Sequence, residues 1–245
     1  MGKVIVVTSG KGGTGKTTAV SAIASCLAAL GHETLCIDMD ISLRNLDLVL
    51  GLADVSAADL GDVVSGRCLL EDAVIAHPQI PGLYLLAAPA GDSSELITSA
   101  DISSVLQDAK SRYEYCLIDS PAGLDTGFYL ASAHAELAIV LATSDSTSLR
   151  DAQKTVMELD ALGIEDIRLV INRLRKKVLK RSISNVDDII DFVGAPLLGI
   201  VPEDEDILIA AAVSKALVLY SGKHGAKAFL RITKRICGER VPLKL

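Results

Sequence analysis

The sequence predicts an α/β protein built on a doubly wound, mostly parallel β-sheet. Three observations predict it. Short β-rich runs alternate with helical stretches along the whole chain. Several runs are apolar almost throughout, as parallel strands covered on both faces must be. A glycine-rich turn joins the first strand to the first helix, the context in which parallel α/β sheets bind phosphate.

The elements follow in order. Val4-Ile5-Val6-Val7 carries the first strand, over residues 4–8. The Ala- and Leu-rich stretch behind the glycine turn predicts a helix over 17–30. Strands are expected at 34–38, 83–87, 115–119, 138–142, 168–172 and 197–201, each a short run rich in apolar side chains. Between and after them, helices are expected at 100–112, 146–162, 186–193, 203–212 and 223–237. No internal repeat, low-complexity tract or linker interrupts the alternation, so residues 1–245 are expected to form a single domain.

Composition narrows the function. The 245 residues are 50% hydrophobic and 22% charged, which suits one α/β unit with a large core. Only 3% are aromatic and Trp is absent, so Ala, Val, Leu and Ile must fill that core. A formal charge of −7 argues against a globally basic nucleic-acid binder. Cys26, Cys36, Cys68, Cys116 and Cys237 form no C-x-x-C pair, so they read as reduced thiols rather than iron–sulfur ligands. The strand at the N-terminus leaves no signal peptide ahead of the fold, and no apolar stretch is long enough to span a bilayer. A cytoplasmic protein is the expectation.

The chemistry starts at residues 10–17. Gly10-Lys11-Gly12-Gly13-Thr14-Gly15-Lys16-Thr17 is a complete G-x-x-x-x-G-K-T phosphate-binding loop, followed by Thr18. Its glycines let backbone N–H groups crowd around phosphate oxygens, and the new helix aims its positive end at the same place. Lys16 is expected to reach the β- and γ-phosphates, and the Thr17 hydroxyl to bind Mg²⁺. Lys11 is a second lysine that an ordinary phosphate loop does not require.

Ligands in such sheets bind at the carboxyl ends of the strands. Asp119 ends one strand before Ser120-Pro121-Ala122-Gly123 and is expected to support Mg²⁺. Gly123 would let the following loop approach a γ-phosphate and sense it. Asp38-Met39-Asp40 ends another strand. Asp40 is the better candidate for orienting water in line with the γ-phosphate, and Asp38 for organising Mg²⁺. Asn45 either holds the attacking water or caps a helix. Asn172-Arg173 ends a third strand, where an Asn can hydrogen-bond the adenine edge. The guanine-selective N-K-x-D pattern is absent, which favours ATP. Pro202-Glu203-Asp204 follows the last strand; its backbone either lines the base pocket or simply starts a helix.

Together these residues resemble the ParA/MinD group of deviant Walker A ATPases, a branch of the P-loop NTPase fold. The group's K-G-G-x-G-K-T-T pattern is matched by Lys11 to Thr18. Further likeness lies in Asp38-Met39-Asp40-Ile41-Ser42-Leu43-Arg44-Asn45-Leu46-Asp47, in Ile118-Asp119-Ser120-Pro121-Ala122-Gly123, in Val201-Pro202-Glu203-Asp204-Glu205-Asp206 and in Gly238-Glu239-Arg240-Val241-Pro242-Leu243. The resemblance implies a slow, Mg²⁺-dependent ATPase that forms an ATP-dependent homodimer. In that dimer Lys11 reaches the partner's phosphates. Its division-site members bind membrane as dimers, recruit a division inhibitor, and are released when a topological-specificity factor stimulates hydrolysis. The implied partner surface includes the helix beginning Ser148-Leu149-Arg150-Asp151.

The division-site members usually continue past the Val-Pro-Leu segment into an amphipathic membrane helix, whereas this sequence stops at Leu245. In 223–237, Phe229, Leu230, Ile232, Ile236 and Cys237 share one arc and Lys227, Arg231, Lys234 and Arg235 fall opposite. That pattern fits a membrane-surface helix or, the favoured reading, a final helix packed on the sheet. The rival functions are a ParA-type partition ATPase, which would use the basic run 173–181 on DNA, a flagellar-number regulator, an iron–sulfur relative, and a non-hydrolysing nucleotide-gated scaffold.

Overall fold

The computed structural model describes residues 2–41, 43–55, 58–89, 97–175 and 185–244. β1 (Lys3–Thr8) runs into the glycine loop and α1 (Lys16–Ala29), then β2 (Thr34–Asp38). Three short helices follow, α2 (Leu46–Leu50), α3 (Leu60–Val64) and α4 (Leu70–Ala73), before β3 (Ile75–Ala76) and β4 (Leu83–Leu86). The middle of the chain gives α5 (Ser99–Arg112), β5 (Tyr115–Asp119), α6 (Thr126–Ser132), β6 (Leu137–Ala142), α7 (Ser146–Ala161) and β7 (Ile167–Leu174). It closes with α8 (Val186–Val193), β8 (Leu197–Pro202), α9 (Glu205–Ala212), α10 (Leu217–Tyr220) and α11 (His224–Ile236).

These strands form one eight-stranded sheet in the order β3-β4-β2-β5-β1-β6-β7-β8. Every neighbouring pair is parallel except β3 with β4. The period-two geometry of a strand explains the apolar runs. Val4 and Val6 enter one core, with side chains of α5, α7 and α8; Ile5 and Val7 enter the other, with α1 and α11. Leu35 and Ile37 oppose Cys36 in the same way, and Cys116 and Ile118 oppose Leu117. Both faces of the central strands are therefore covered, and between their first residues and their carboxyl ends β1, β2 and β5 are apolar throughout. At those carboxyl ends polarity returns, at Thr8, Asp38 and Asp119.

Local signals set the helix ends. Thr98 and Asp101 form a reciprocal capping box on α5, and Asn185 and Asp188 form one on α8. Asp204 caps α9, which moves its start to Glu205 from the expected 203. Asp145 caps α7, which starts at Ser146 as expected; Ser148, named for the implied partner surface, lies in its first turn. Elements α2, α3, α4, α6, α10 and β3 escape the sequence reading because they are too short to show a period.

Helix α11 settles one further expectation. Phe229 and Ile232 are buried against the sheet, so the apolar arc is a packing face. Arg235, expected on the solvated side, is instead half-buried. It donates to the Leu198 carbonyl at 2.8 Å and to the Val241 carbonyl at 2.9 Å through its two terminal nitrogens. Its long stem lets it cross from the polar to the apolar side. No described helix is long and apolar enough to cross a membrane.

Candidate functional site

The strand order reverses around β1, which lies between β5 and β6. A crevice at the carboxyl end of such a switch point is where open α/β sheets place ligands. The glycine loop occupies that position. Gly15 is the N-cap of α1 and has φ +97°, a left-handed conformation that costs other residues energy. A Cβ there would also meet the Asn172 amide nitrogen at 2.6 Å. Only glycine satisfies both constraints.

Ser9, which the motif reading passes over, organises the loop from below. Its hydroxyl donates to the Lys11 carbonyl at 2.8 Å and accepts from the Thr14 hydroxyl at 2.8 Å. The Lys16 ammonium lies 3.4 Å from the same oxygen. A small hydroxyl residue just ahead of the first glycine is the sequence signal for this tie. Lys16 is only 7% exposed, and burial holds its ammonium below the ordinary lysine range, opposed by the charges of Asp119 and Asp40.

Two carboxyls, Asp119 and Asp40, act on that lysine, and Asp38 stands beside both. Asp38 is buried, and burial raises its carboxyl to about 6. Both its oxygens are engaged, accepting from Asp40 N–H at 2.9 Å and Leu46 N–H at 3.2 Å. Asp38 thus ties Asp40 to the start of α2 and presents Asp40 beside Lys16, a structural task not foreseen for it. Asp119 is 1% exposed, and neither carboxyl oxygen completes a hydrogen bond. Burial, reinforced by Asp38, pushes it up to about 8, against the pull of the Thr17 hydroxyl and Lys16.

An orphaned buried carboxyl needs an occupant, and a hydrated cation supplies one. Among the described residues no three His, Cys, Asp or Glu side chains gather to hold a metal alone. A metal here would draw most ligands from phosphate and water, which is how Mg²⁺ is bound. The donor set, a threonine hydroxyl beside a buried carboxyl and a phosphate loop, fits Mg²⁺ with a nucleotide. Asn45 sits at the N-cap position of α2 without a side-chain cap bond, half-buried near this turn. Ser42 lies outside the described residues.

At the other flank Asn172 is 5% exposed and donates from its amide to the Thr14 carbonyl at 2.7 Å. Its side-chain oxygen accepts from Arg173 N–H at 2.9 Å. The amide expected on the adenine edge ties the glycine loop to β7. Arg173 follows with φ +53° and an exposed side chain. Pro202 ends β8. The Asp204 carboxyl caps α9 and also accepts from Gly225 N–H at 2.7 Å. Glu203 pairs with Arg175 through two bonds. The helix start accounts for the Asp204 side chain and the Arg175 pair for that of Glu203, which leaves their backbone as the part that could line a base.

Lys11 is exposed at the loop's tip, together with Gly12 and Gly13, and its ammonium lies 3.9 Å from the Asp145 carboxylate. Asp145 also accepts from the hydroxyls of Thr143 and Thr147 and from Ser148 N–H, and these bonds hold its carboxyl far below the ordinary range. The tip lysine is thereby linked to the start of α7. The basic run behind β7 is described only through Arg175; its residues 176–181 lie outside the described residues.

Comparison with known proteins agrees with this geometry. The family model of the CobQ/CobB/MinD/ParA nucleotide binding domain matches residues 5–217. The septum site-determining protein MinD of Synechocystis is 36% identical over 244 residues, 99% of this chain and 92% of that protein. Among solved structures, the MinC:MinD cell division protein complex of Aquifex aeolicus aligns with TM-score 0.92 and 34% identity, covering 99% of both chains. The Pyrococcus horikoshii septum site-determining protein MinD complexed with Mg-ADP aligns with TM-score 0.86 and 31% identity, covering 96% of each.

Proposed function

The chain belongs to the CobQ/CobB/MinD/ParA nucleotide-binding family, and we propose that it is a Mg²⁺-dependent ATPase acting as an ATP-dimerising switch in division-site placement. The observation that carries the chemistry is the unpartnered, buried Asp119 carboxyl beside Lys16 at the mouth of a complete phosphate loop. The observation that carries the cellular role is likeness across the full chain to division-site relatives, including one solved with an inhibitor partner.

The residues divide the work. Backbone N–H groups of residues 10–17 and the α1 N-terminus receive the phosphates, and Lys16 neutralises them. Thr17 and Asp119, with Asp38 organising the turn beside them, would hold Mg²⁺, which would supply charge neutralisation at the phosphates. Asp40, positioned by Asp38, orients the attacking water, with Asn45 beside it. Lys11 completes the pocket of a second copy, so full charge neutralisation awaits pairing. Asn172 and the Pro202-Glu203-Asp204 backbone flank the base. Residues 1–245 act as one unit around this site.

Partners follow from the same reading. A division inhibitor of the MinC type docks on the ATP-bound dimer, and α7, coupled to Lys11 through Asp145, lies in the surface it uses. The protein is cytoplasmic and joins the membrane peripherally when dimeric, since two weak attachment points bind far better than one; the apolar face of α11, packed on the sheet, is not the attachment. The DNA-partition and flagellar readings gain nothing from the relatives above, and Arg175 of the basic run is spent on Glu203. The test is sedimentation with anionic vesicles in ATP, ADP and no nucleotide. ATP-selective recruitment of both the protein and its inhibitor supports the switch. ATP-gated, salt-sensitive retention on DNA instead would replace it with the partition reading.

A further inference from the structure

At the end of the sheet opposite the phosphate loop, three distant segments meet. His32 lies between α1 and β2, Glu114 and Tyr115 open β5, and Cys237 caps α11. The His32 Nδ1 atom is 2.9 Å from Glu114 Oε2. Its Nε2 atom is 3.8 Å from Cys237 Sγ, and the Tyr115 hydroxyl donates to that sulfur at 3.7 Å. The His32 and Tyr115 rings stand edge to face, with centroids 5.2 Å apart, which fixes the imidazole plane. With Nδ1–H donating to Glu114, Nε2 keeps its lone pair toward the thiol. A carboxylate that orients an imidazole, which in turn faces a thiol, is the arrangement that activates a sulfur nucleophile.

The other thiols have no such setting. Burial pushes Cys26 up to about 11 and Cys116 up to about 12, and it raises Cys36 further still. Cys68 is raised by desolvation and by its neighbours Asp62 and Asp72. Cys237 is half-buried, and the His32 side chain beside it is 30% exposed, so a small reagent can reach the pair.

We propose that Cys237 is a modification site, a nucleophilic thiol that undergoes exchange with small disulfides, with His32 as its base and Glu114 as the positioning residue. In the step, the Cys237 proton passes to His32 Nε2. The thiolate attacks one sulfur of the disulfide, forming the Cys237–S bond as the reagent's S–S bond breaks. The departing thiolate keeps that electron pair and is protonated. Cys237 is oxidised to a mixed disulfide, and half of the reagent is reduced to free thiol. The adduct must leave the His32–Tyr115 contact, so it loosens the end of α11. Arg235, two residues earlier, holds the following segment there through the Val241 carbonyl.

The folded chain treated with dithiobis-nitrobenzoate, a chromogenic disulfide, tests this directly. Peptide mapping should find Cys237 labelled first, roughly tenfold or more ahead of Cys68 at neutral pH. Cys237→Ser should remove the fast phase and leave ATP turnover unchanged. His32→Gln should slow labelling about tenfold and change the rate–pH profile, since no base beside the sulfur then takes its proton. The groups facing the sulfur are His32 and Tyr115, with Glu114 behind His32; Lys234 on the same helix pairs with Glu239. Glu114→Gln should slow labelling by less while leaving the ring in place, and it serves as the test if His32→Gln fails to fold. First labelling at Cys68 or at a buried thiol would overturn the proposal. So would unchanged rates and profiles in the folded variants.

Discussion

Asp38 and Asp119 are register partners at the carboxyl ends of the adjacent parallel strands β2 and β5. Two carboxyls are thus buried side by side, and they are treated differently. Asp38 gives both oxygens to backbone N–H groups, whereas Asp119 completes no bond and is kept for a ligand.

Asp119→Asn should stabilise the nucleotide-free protein. Burial raises the Asp119 carboxyl to about 8, so between the ordinary carboxyl range and that value the folded chain holds a proton that the unfolded chain has lost. Its contribution is fully present in acid, declines as pH rises across that window, and is lowest above pH 8. At alkaline pH the variant should be more stable than wild type by on the order of a few kcal/mol, read as a higher melting temperature. Mg-ADP should raise the wild-type melt and leave the variant's unchanged.

Asp40→Ala should bind ATP yet cleave it at least about a hundredfold more slowly, as expected when a water-orienting group is removed. Single-turnover hydrolysis beside equilibrium dialysis separates the two effects. Normal turnover would end the assignment.

Lys11→Ala should bind ATP as a monomer, because the lysine's role lies across the dimer. Asp145→Ala should still dimerise, while losing the α7 cap at a cost of about 1 kcal/mol. The exposed Lys11–Asp145 pair itself adds little to stability. Light scattering with ATP reads the first effect, and chemical denaturation the second.

Asn172→Ala would leave the Thr14 carbonyl and Arg173 N–H without their side-chain partner. The cost should be about 1–3 kcal/mol, with a weaker grip on nucleotide. Hydrogen exchange should then quicken in residues 10–16. Asn172→Asp keeps the acceptor for Arg173 N–H but sets a buried negative charge against the Thr14 carbonyl, so it should cost more than the alanine.

His77 makes the fold sensitive to acid. It is buried, its Nε2 reaches the Leu50 carbonyl at 3.0 Å, and its Nδ1 accepts from Gln79 and Ile80 N–H, both at 3.1 Å. Desolvation lowers its pKa below the ordinary 6.5, and a proton on Nδ1 would break both backbone bonds. The folded state therefore takes up a proton later than the unfolded chain. Stability present above pH 6.5 should fall as pH drops through that value. His77→Gln should flatten this part of the curve while lowering stability at neutral pH.

Much of the fold was legible along the chain. The runs at 34–38, 115–119 and 186–193 coincide with β2, β5 and α8, because each is bounded by a polar cap or strand end. The phosphate loop was legible because its function demands particular residues at fixed local spacing. Less could be read where a side chain's task depends on distant neighbours. Asn172 is recognisably polar at a strand end, yet nothing local says that it reaches Thr14, 158 positions away. Arg235 looked solvated until the Leu198 and Val241 carbonyls were brought within its reach.

The sequence by itself determined the alternation of strands and helices, the anion-binding turn and the carboxylates around it, since these rest on local conformation and short-range pattern. Only the tertiary structure decided which buried carboxyl keeps its oxygens for a ligand, which acids merely cap helices, and that a histidine, a glutamate and a cysteine meet behind the sheet. The physical reason is that desolvation and hydrogen-bond partnership are properties of packed neighbours, and packing joins residues that the linear chain keeps apart.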